Sequence, residues 1–143
     1  MPFIQTKGPK KGLCNICGTH GKLTEDHVPP KGTIKFPRMT LYGIGEVLNA
    51  KAEKDRKGRD FQQGVKFRSI CSVCNNDYLG GLYDQELKNF ANDVGSYLHS
   101  LVARPNSTTF PVVPGKIIRA VCGHILALGV ERFPRGDMGD AMA

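Results

Sequence analysis

The sequence predicts an α+β fold in which two strands and a helix form a small core and two C-terminal helices follow. Two Cys-x-x-Cys pairs, one alternating apolar and polar segment and two stretches of helical periodicity support this prediction. A chain of 143 residues has the length of one domain and can bury roughly two-thirds of its unfolded surface. We divide it into a flexible basic N-terminus (1–12), a core (13–85) with a basic insertion (31–60), a helical segment (86–130) and a flexible tail (131–143).

The charge balance favours a polyanionic partner. Twenty Lys and Arg against 13 Asp and Glu give a net charge of +7, which attracts nucleic acid more readily than acidic proteins. No apolar run approaches the roughly 18 residues that span a bilayer, so we expect no membrane association. The first residues lack the apolar core of a secretory signal. Five cysteines are an odd number for a disulfide framework, and we expect a cytoplasmic protein with free thiols.

Two segments read as strands. Residues 22–28 end at Pro29 and Pro30, and proline cannot continue a ladder because it lacks a backbone donor. Residues 65–70 alternate apolar and polar side chains, which predicts a strand with one buried face. Residues 31–60 read as an insertion between these strands. Residues 1–12 show no periodicity, and we assign no regular structure to them.

The second half of the chain predicts helices. Apolar residues recur at helical spacing from residue 87 to residue 101, and Gly80 and Gly81 are a candidate break between this helix and a shorter one that begins at Asn75. A further helix spans residues 116–128. Its predicted inner face carries Ile117, Val121, Ile125 and Leu128. His99 and His124 fall outside the apolar stripes, and we interpret both as ordinary surface or boundary histidines.

Four of the five cysteines have the spacing of a metal site. The pairs Cys14-x-x-Cys17 and Cys71-x-x-Cys74 each allow two thiolates to bind one ion from a tight turn, and together they predict tetrahedral zinc. One alternative is that buried cysteines share this spacing by chance. The other is a redox Cys-x-x-Cys motif, but neither pair has the βαβ context in which such motifs lie. Cys122 is left over and is predicted to be a small core residue.

A carboxylate and an imidazole stand side by side at Asp26 and His27. Such a pair alone is more often a surface or capping pair than a functional site. Asn75 changes this interpretation because it directly follows Cys74, so an ion bound by the cysteines would also fix its position. A strand, a strand and a helix joined by zinc would bring Asp26, His27 and Asn75 into one cleft.

In these residues the chain resembles the HNH endonucleases, the ββα-metal nucleases, in their zinc-stabilised form. The matching motifs are Cys14-x-x-Cys17, Asp26-His27 with its prolines, and Cys71-x-x-Cys74-Asn75, within residues 13–80. The resemblance implies that Asp26 and Asn75 hold one divalent cation, Mg²⁺ or Mn²⁺, and that His27 is the general base. It also implies cleavage of DNA to 5′-phosphate and 3′-hydroxyl ends. The middle asparagine of the family has no clear counterpart.

The same three residues suit phosphodiester hydrolysis on chemical grounds. Hydrolysis needs a deprotonated water in line with the leaving oxygen and a counter-charge for that oxygen. A neutral imidazole can accept the proton, and one carboxylate with one amide oxygen can hold a hard cation that keeps open positions. A zinc ion with four sulfur ligands has no such position, so we expect it to be structural.

Basic residues concentrate in and around the insertion and are candidates for contact with phosphates. Such contacts set position without reading sequence and predict salt-sensitive affinity, most simply for double-stranded DNA. The alternative is a solvated charged loop. The candidates are Lys31, Lys35, Lys54, Arg56, Lys57, Arg59, Lys66 and Arg68.

Two other functions stay open at this point. A four-cysteine zinc module could bind nucleic acid or protein without cleaving it, but such a module has no use for Asp26, His27 and Asn75 as a set. Residues 87–143 could instead be a docking or homodimerisation segment, or the nuclease could be fused to a missing sensor domain. The resemblance favours the latter arrangement, which HNH units have in bacterial and phage defence proteins.

Overall fold

The computed structural model describes residues 6–34, 38–49, 57–62, 64–102, 105–130 and 141. Its strands are β1 (Lys11–Leu13), β2 (His20–Val28), β3 (Met39–Tyr42), β4 (Gly58–Phe61) and β5 (Val65–Cys71). Its helices are α1 (Ile44–Asn49), a π-helical segment (Val73–Tyr83) that continues into α2 (Asp84–Leu98), and α3 (Pro114–Ala127). The predicted α+β class is confirmed. Among the described residues, no helix has the length and apolarity to cross a membrane.

The central element is an antiparallel sheet in the order β1-β2-β5. Strands β2 and β5 are neighbours although residues 31–60 separate them in sequence, as predicted, and β3 pairs with β4 inside that insertion as a separate sheet. Residues 6–12 are more ordered than their composition indicates. β1 pairs with β2, and the Thr6 carbonyl accepts a hydrogen bond from the Arg68 backbone N–H at 3.1 Å.

An irregularity in the β2–β5 pairing changes which faces of the strands are buried. Thr24 pairs with Ile70 and Glu25 with Arg68, so Ser69 is an extra residue on β5. Ser69 and Ile70 are consequently both buried although they are neighbours on β5. In a regular strand these two side chains would point to opposite faces. The bulge therefore lets β5 supply both a core residue and a buried hydroxyl.

The helix after the second cysteine pair runs through Gly80 and Gly81 without a break. The Asp84 backbone N–H donates to the Leu79 carbonyl, five residues back, which is the π-helical pattern. A Cβ on Gly81 would lie 3.1 Å from the Asn76 carbonyl. Glycine therefore suits this close turn.

The predicted inner face of α3 is wrong. Val121, Ile125 and Leu128 are each at least 41% exposed. Small residues pack inward instead, since a Cβ on Gly123 would lie only 2.5 Å from Leu79 Cδ2. The buried residues of α3 are Ala120, Gly123, His124 and Ala127. Small side chains allow the helix backbone to approach β2, β5 and the π-helical segment closely.

Two sets of contacts hold α3 and the connector before it against the rest of the fold. Ser69 Oγ, on the bulge of β5, donates to the Ala127 carbonyl at 2.6 Å. The connector before α3 is held by Phe110, whose ring makes edge contacts with Phe90 and Tyr97 of α2. Helix α3 is thus part of the same packed body as the sheet.

Candidate functional site

The four cysteines of the two pairs form one cluster. Their sulfur atoms all lie within 4.8 Å of one another, and Cys17 Sγ is 3.8 Å from Cys71 Sγ. Sulfurs at the corners of a tetrahedral zinc site are about 3.8 Å apart when each Zn–S bond is about 2.3 Å. The residues therefore fit a metal ion such as zinc. Cys122 lies outside the cluster and is half-buried on α3.

Local backbone structure creates this cluster. Gly18 has a φ of 74°, and its N–H donates to the Cys14 carbonyl, which closes the turn between β1 and β2. The Cys71 N–H donates to Cys14 Sγ at 3.3 Å and so joins the two pairs. Each pair stands where a strand ends, and the cluster connects the start of the fold to its middle.

The pKa shifts of Cys17, Cys71 and Cys74 are those expected for a cluster that needs a cation. Burial opposes ionisation of Cys17, but hydrogen bonds from Thr19 and its fellow cysteines lower its pKa to about 6. Burial and the neighbouring Cys14 raise the pKa of Cys74 far above its ordinary value, and burial also raises that of Cys71. The Cys17 thiolate therefore forms easily, whereas ionisation of Cys71 and Cys74 is opposed. A bound divalent cation would remove that opposition.

Beside the cysteines, the three residues of the predicted catalytic set line one open cleft of about 330 Å³, here called the Asp26 cleft. Asp26 and His27 come from β2, and Asn75 comes from the π-helical segment. The predicted convergence of these side chains is thus present. The lining residues are Glu25, Asp26, His27, Pro30, Lys31, Asn75, Asn76, Gly80, Asp84 and Lys88.

The Asp26 carboxylate is bound by His124, which the sequence predicts to be a surface or boundary residue. His124 is only 3% exposed, so the predicted surface or boundary position is wrong. Its Nδ1 lies 2.7 Å from Asp26 Oδ2, and its Nε2 lies 2.9 Å from Asp84 Oδ1. We call these three residues the histidine bridge. Burial alone would lower the pKa of His124, but the two carboxylates outweigh it and raise the pKa to about 9.

The bridge occupies only one oxygen of Asp26. No described residue donates a hydrogen bond to the other oxygen, Oδ1. In the described part of the chain, Asn15 Oδ1 is the only enclosed side-chain nitrogen or oxygen without a partner. Asp26 lines the Asp26 cleft, and Oδ1 is the oxygen that the bridge leaves for a cation.

The Asn75 amide is oriented by its neighbours. Thr24 Oγ1 donates to the Ile70 carbonyl at 2.9 Å, so it accepts from Asn75 Nδ2, also at 2.9 Å. The Glu25 carbonyl accepts a second hydrogen bond from Nδ2 at 3.0 Å. Both partners are acceptors and must face the amide NH₂. Among the hydrogen bonds of the described residues, those of the Asn75 side chain use Nδ2, which leaves Oδ1 as the acceptor that this cleft-lining residue can offer.

His27 has the charge state that a general base needs. It is half-buried beside the cleft. Burial, and then the charge of Lys66 opposite it in the β2–β5 register, lower the pKa of His27 below its ordinary value, while Asp26 partly offsets them. The imidazole is therefore neutral near pH 7 and able to accept a proton.

Those predicted phosphate-contact residues that the structure describes divide into three groups. Lys31 lines the Asp26 cleft, and Lys66 is exposed on β5 beside His27. Arg68 and Arg59 have partners within the protein: Arg68 binds Glu25 at 2.7 Å, and Arg59 lies over the Phe61 ring. Lys57 is exposed on the insertion. The remaining candidates, Lys35, Lys54 and Arg56, lie outside the described residues.

Two residues of the cleft were missed by sequence reasoning. Asp84 and Lys88 are one turn apart on α2, a spacing that puts both on one helix face. The apolar pattern that predicts this helix begins at Leu87, after Asp84. A carboxylate and a lysine at i, i+4, directly after the π-helical segment, were the available signal.

A larger cavity of about 760 Å³ lies between the cysteine cluster and α3. No histidine or carboxylate lines it among the described residues; its walls include Leu79, Tyr83 and Ile118, with Arg119 as the charged group. Its described walls hold neither an imidazole nor a carboxylate, so the residues suited to acid–base or hard-cation chemistry lie in the smaller Asp26 cleft.

Comparison with known proteins adds no family. No protein-family model, curated protein or solved structure matches the chain. A functional proposal for this chain therefore depends on the chemistry of the cysteine cluster and the Asp26 cleft.

Proposed function

We propose that this chain is a metal-dependent endonuclease of the HNH type that hydrolyses phosphodiester bonds in DNA. The observation that carries the proposal is the meeting of Asp26, His27 and Asn75 in one cleft. They come from two elements that the cysteine cluster joins. A module that only bound nucleic acid would not need a neutral imidazole in the same cleft as a carboxylate and an amide.

His27 is the proposed general base. One of its ring nitrogens takes the proton of the attacking water, and burial beside Lys66 keeps the ring neutral for that task. Asp26 Oδ1 and Asn75 Oδ1 would hold the divalent cation, Mg²⁺ or Mn²⁺. When bound, that cation supplies positive charge for the scissile phosphate and the leaving oxygen.

Lysines support DNA as the substrate. Lys31 and Lys88 line the cleft from the loop after β2 and from α2, and Lys66 is exposed next to His27. Three ammonium groups around one cleft favour a phosphate backbone and are indifferent to base sequence. The expected products are 5′-phosphate and 3′-hydroxyl ends.

Zinc is the proposed occupant of the cysteine cluster. Four sulfur ligands leave no position for substrate, so the ion has a structural role. The protein would then use two metals with separate tasks, one for the fold and one for cleavage.

The test is plasmid nicking by the purified zinc-loaded protein with Mg²⁺, with Mn²⁺, and in metal-depleted buffer. We expect nicking that requires the added cation and falls at least about 100-fold in His27→Ala, the scale of losing a general base. His20→Ala is the matched control, because His20 is exposed at the other end of β2. Zinc content is measured in every sample so that loss of the fold is not read as loss of catalysis.

Two results would contradict the proposal. One is undiminished nicking by His27→Ala at full zinc content. The other is DNA binding without cleavage in every added cation, which would favour the non-catalytic zinc module.

A further inference from the structure

We infer that His124 and Asp84 are positioning residues that fix Asp26 so that only its Oδ1 faces the proposed cation. This inference rests on the proposed function. The two residues touch neither substrate nor water in this scheme. They act through the Asp26 carboxylate.

The first step is that both ring nitrogens of His124 are engaged. One bonds Asp26 Oδ2 at 2.7 Å and the other bonds Asp84 Oδ1 at 2.9 Å. A ring held at both ends cannot rotate without losing a buried hydrogen bond to a carboxylate, which costs more than a neutral one. The three side chains are at most 12% exposed, so water is a poor substitute.

The second step is that each end of the histidine bridge is itself fixed. Asp26 is in β2 where it pairs with β5. Asp84 begins α2, and its backbone N–H is bound to the Leu79 carbonyl. Helix α3, which carries His124, is attached to the bulge of β5 through Ser69 and Ala127. The bridge therefore joins three elements whose separation is already set.

The third step is the effect on the carboxylate. An aspartate with two free oxygens can rotate and bind a cation through either or both of them. His124 takes Oδ2, so Oδ1 is the oxygen that Asp26 can present to a cation in the cleft that the Asn75 amide also lines. Hydrogen-bonded partners of metal ligands typically change metal affinity or activity about 10–100-fold when they are removed.

The experiment measures Mn²⁺ binding to the zinc-loaded protein in the absence of DNA, by the electron paramagnetic resonance signal of free Mn²⁺. Zinc content and thermal unfolding are recorded for each variant. We expect His124→Leu to weaken Mn²⁺ binding by about 10–100-fold, and Asp84→Ala, which keeps the bond between His124 and Asp26, to weaken it less. His124→Asn retains an N–H near the Nδ1 position and should recover part of the loss. His99→Leu is the control, since His99 is exposed at the end of α2.

A second readout separates positioning from simple stability. In nicking assays, the half-saturating Mn²⁺ concentration should rise in Asp84→Ala, while the KM for DNA stays the same and excess Mn²⁺ restores kcat. If His124→Leu does not fold, Asp84→Ala alone decides the question.

The inference is overturned if wild type binds Mn²⁺ through Asp26 and the folded bridge variants bind it equally well. It is also overturned if Asp26→Asn leaves Mn²⁺ binding unchanged, or if wild type binds none. If wild type and variants bind Mn²⁺ as expected but the wild type cuts no DNA, the proposed nuclease is contradicted and the bridge is confirmed.

Discussion

At the scale of single residues, the orientation of Asn75 decides which atom reaches the cleft. Its NH₂ group faces Thr24 Oγ1 and the Glu25 carbonyl, both acceptors. An amide is the one common side-chain group that can donate twice on one side and still offer an oxygen on the other. This gives a physical reason for asparagine, rather than aspartate, directly after the fourth cysteine.

Asn75→Asp tests that reason. A carboxylate is the better cation ligand in isolation, but here it would face two acceptors without a proton to donate. We expect it to lower the free energy of unfolding by about 1–3 kcal/mol and to reduce nicking instead of improving it. Chemical denaturation and the plasmid assay measure the two effects. Asn76→Asp, exposed at the same cleft, is the matched control. Unchanged stability with faster cleavage would show that the assigned amide orientation is wrong.

At the scale of elements, α3 is oriented by small residues. Gly123 packs against Leu79, and this contact lets His124, its neighbour, reach Asp26. The exposed Ile118, Val121 and Ile125 form the other side of the helix.

Gly123→Val should therefore disrupt the packing of α3. Its Cβ would lie 2.5 Å from Leu79 Cδ2 in the core, and overpacking of this kind costs about 1–3 kcal/mol. Gly95→Val is the matched control, because a Cβ on Gly95 in α2 meets nothing within 4 Å. The same change in helix propensity applies to both variants, so their difference in unfolding free energy reports packing. Equal destabilisation would contradict this account of α3.

The sequence was informative about elements and poor about faces. Alternation located β5, prolines ended β2, and helical periodicity found α2 and α3. The inner face of α3 was mispredicted because periodicity counts large apolar residues, whereas close helix packing here uses Ala120, Gly123 and Ala127. The buried position of His124 was also mispredicted. Its partner Asp26 is 98 positions away, and no local pattern reports a contact of that range. The β5 bulge that buries both Ser69 and Ile70 is equally invisible to a period-2 rule.

At the scale of the whole molecule, the cysteine cluster connects the turn after β1 to the junction between β5 and the helix. These are the regions that bring Asp26 and Asn75 together. The spacing of the two pairs predicted this connection. It is confirmed by the four sulfurs, which lie within 4.8 Å of one another. The ligand chemistry of this cluster fits a metal ion such as zinc.

Removal of the metal should unfold the core. A strong zinc chelator should abolish the cooperative thermal transition, because structural zinc supplies much of the folding free energy of small sites. Cys14→Ser should act in the same way, whereas Cys122→Ser should keep one zinc per chain, since Cys122 is outside the cluster. Metal analysis and circular dichroism provide the measurements. A chelated protein with an unchanged melting temperature would show that the cluster is not a structural metal site.

The contact between His124 and Asp26 also has a consequence for biosynthesis. Every motif residue from Cys14 to Asn75 leaves the ribosome well before residue 124, yet the Asp26 carboxylate lacks its imidazole partner until α3 has been translated and docked. A nascent or prematurely terminated polypeptide would carry the whole recognisable motif with an incompletely held aspartate. Maturation of the cleft is in this way coupled to late translation.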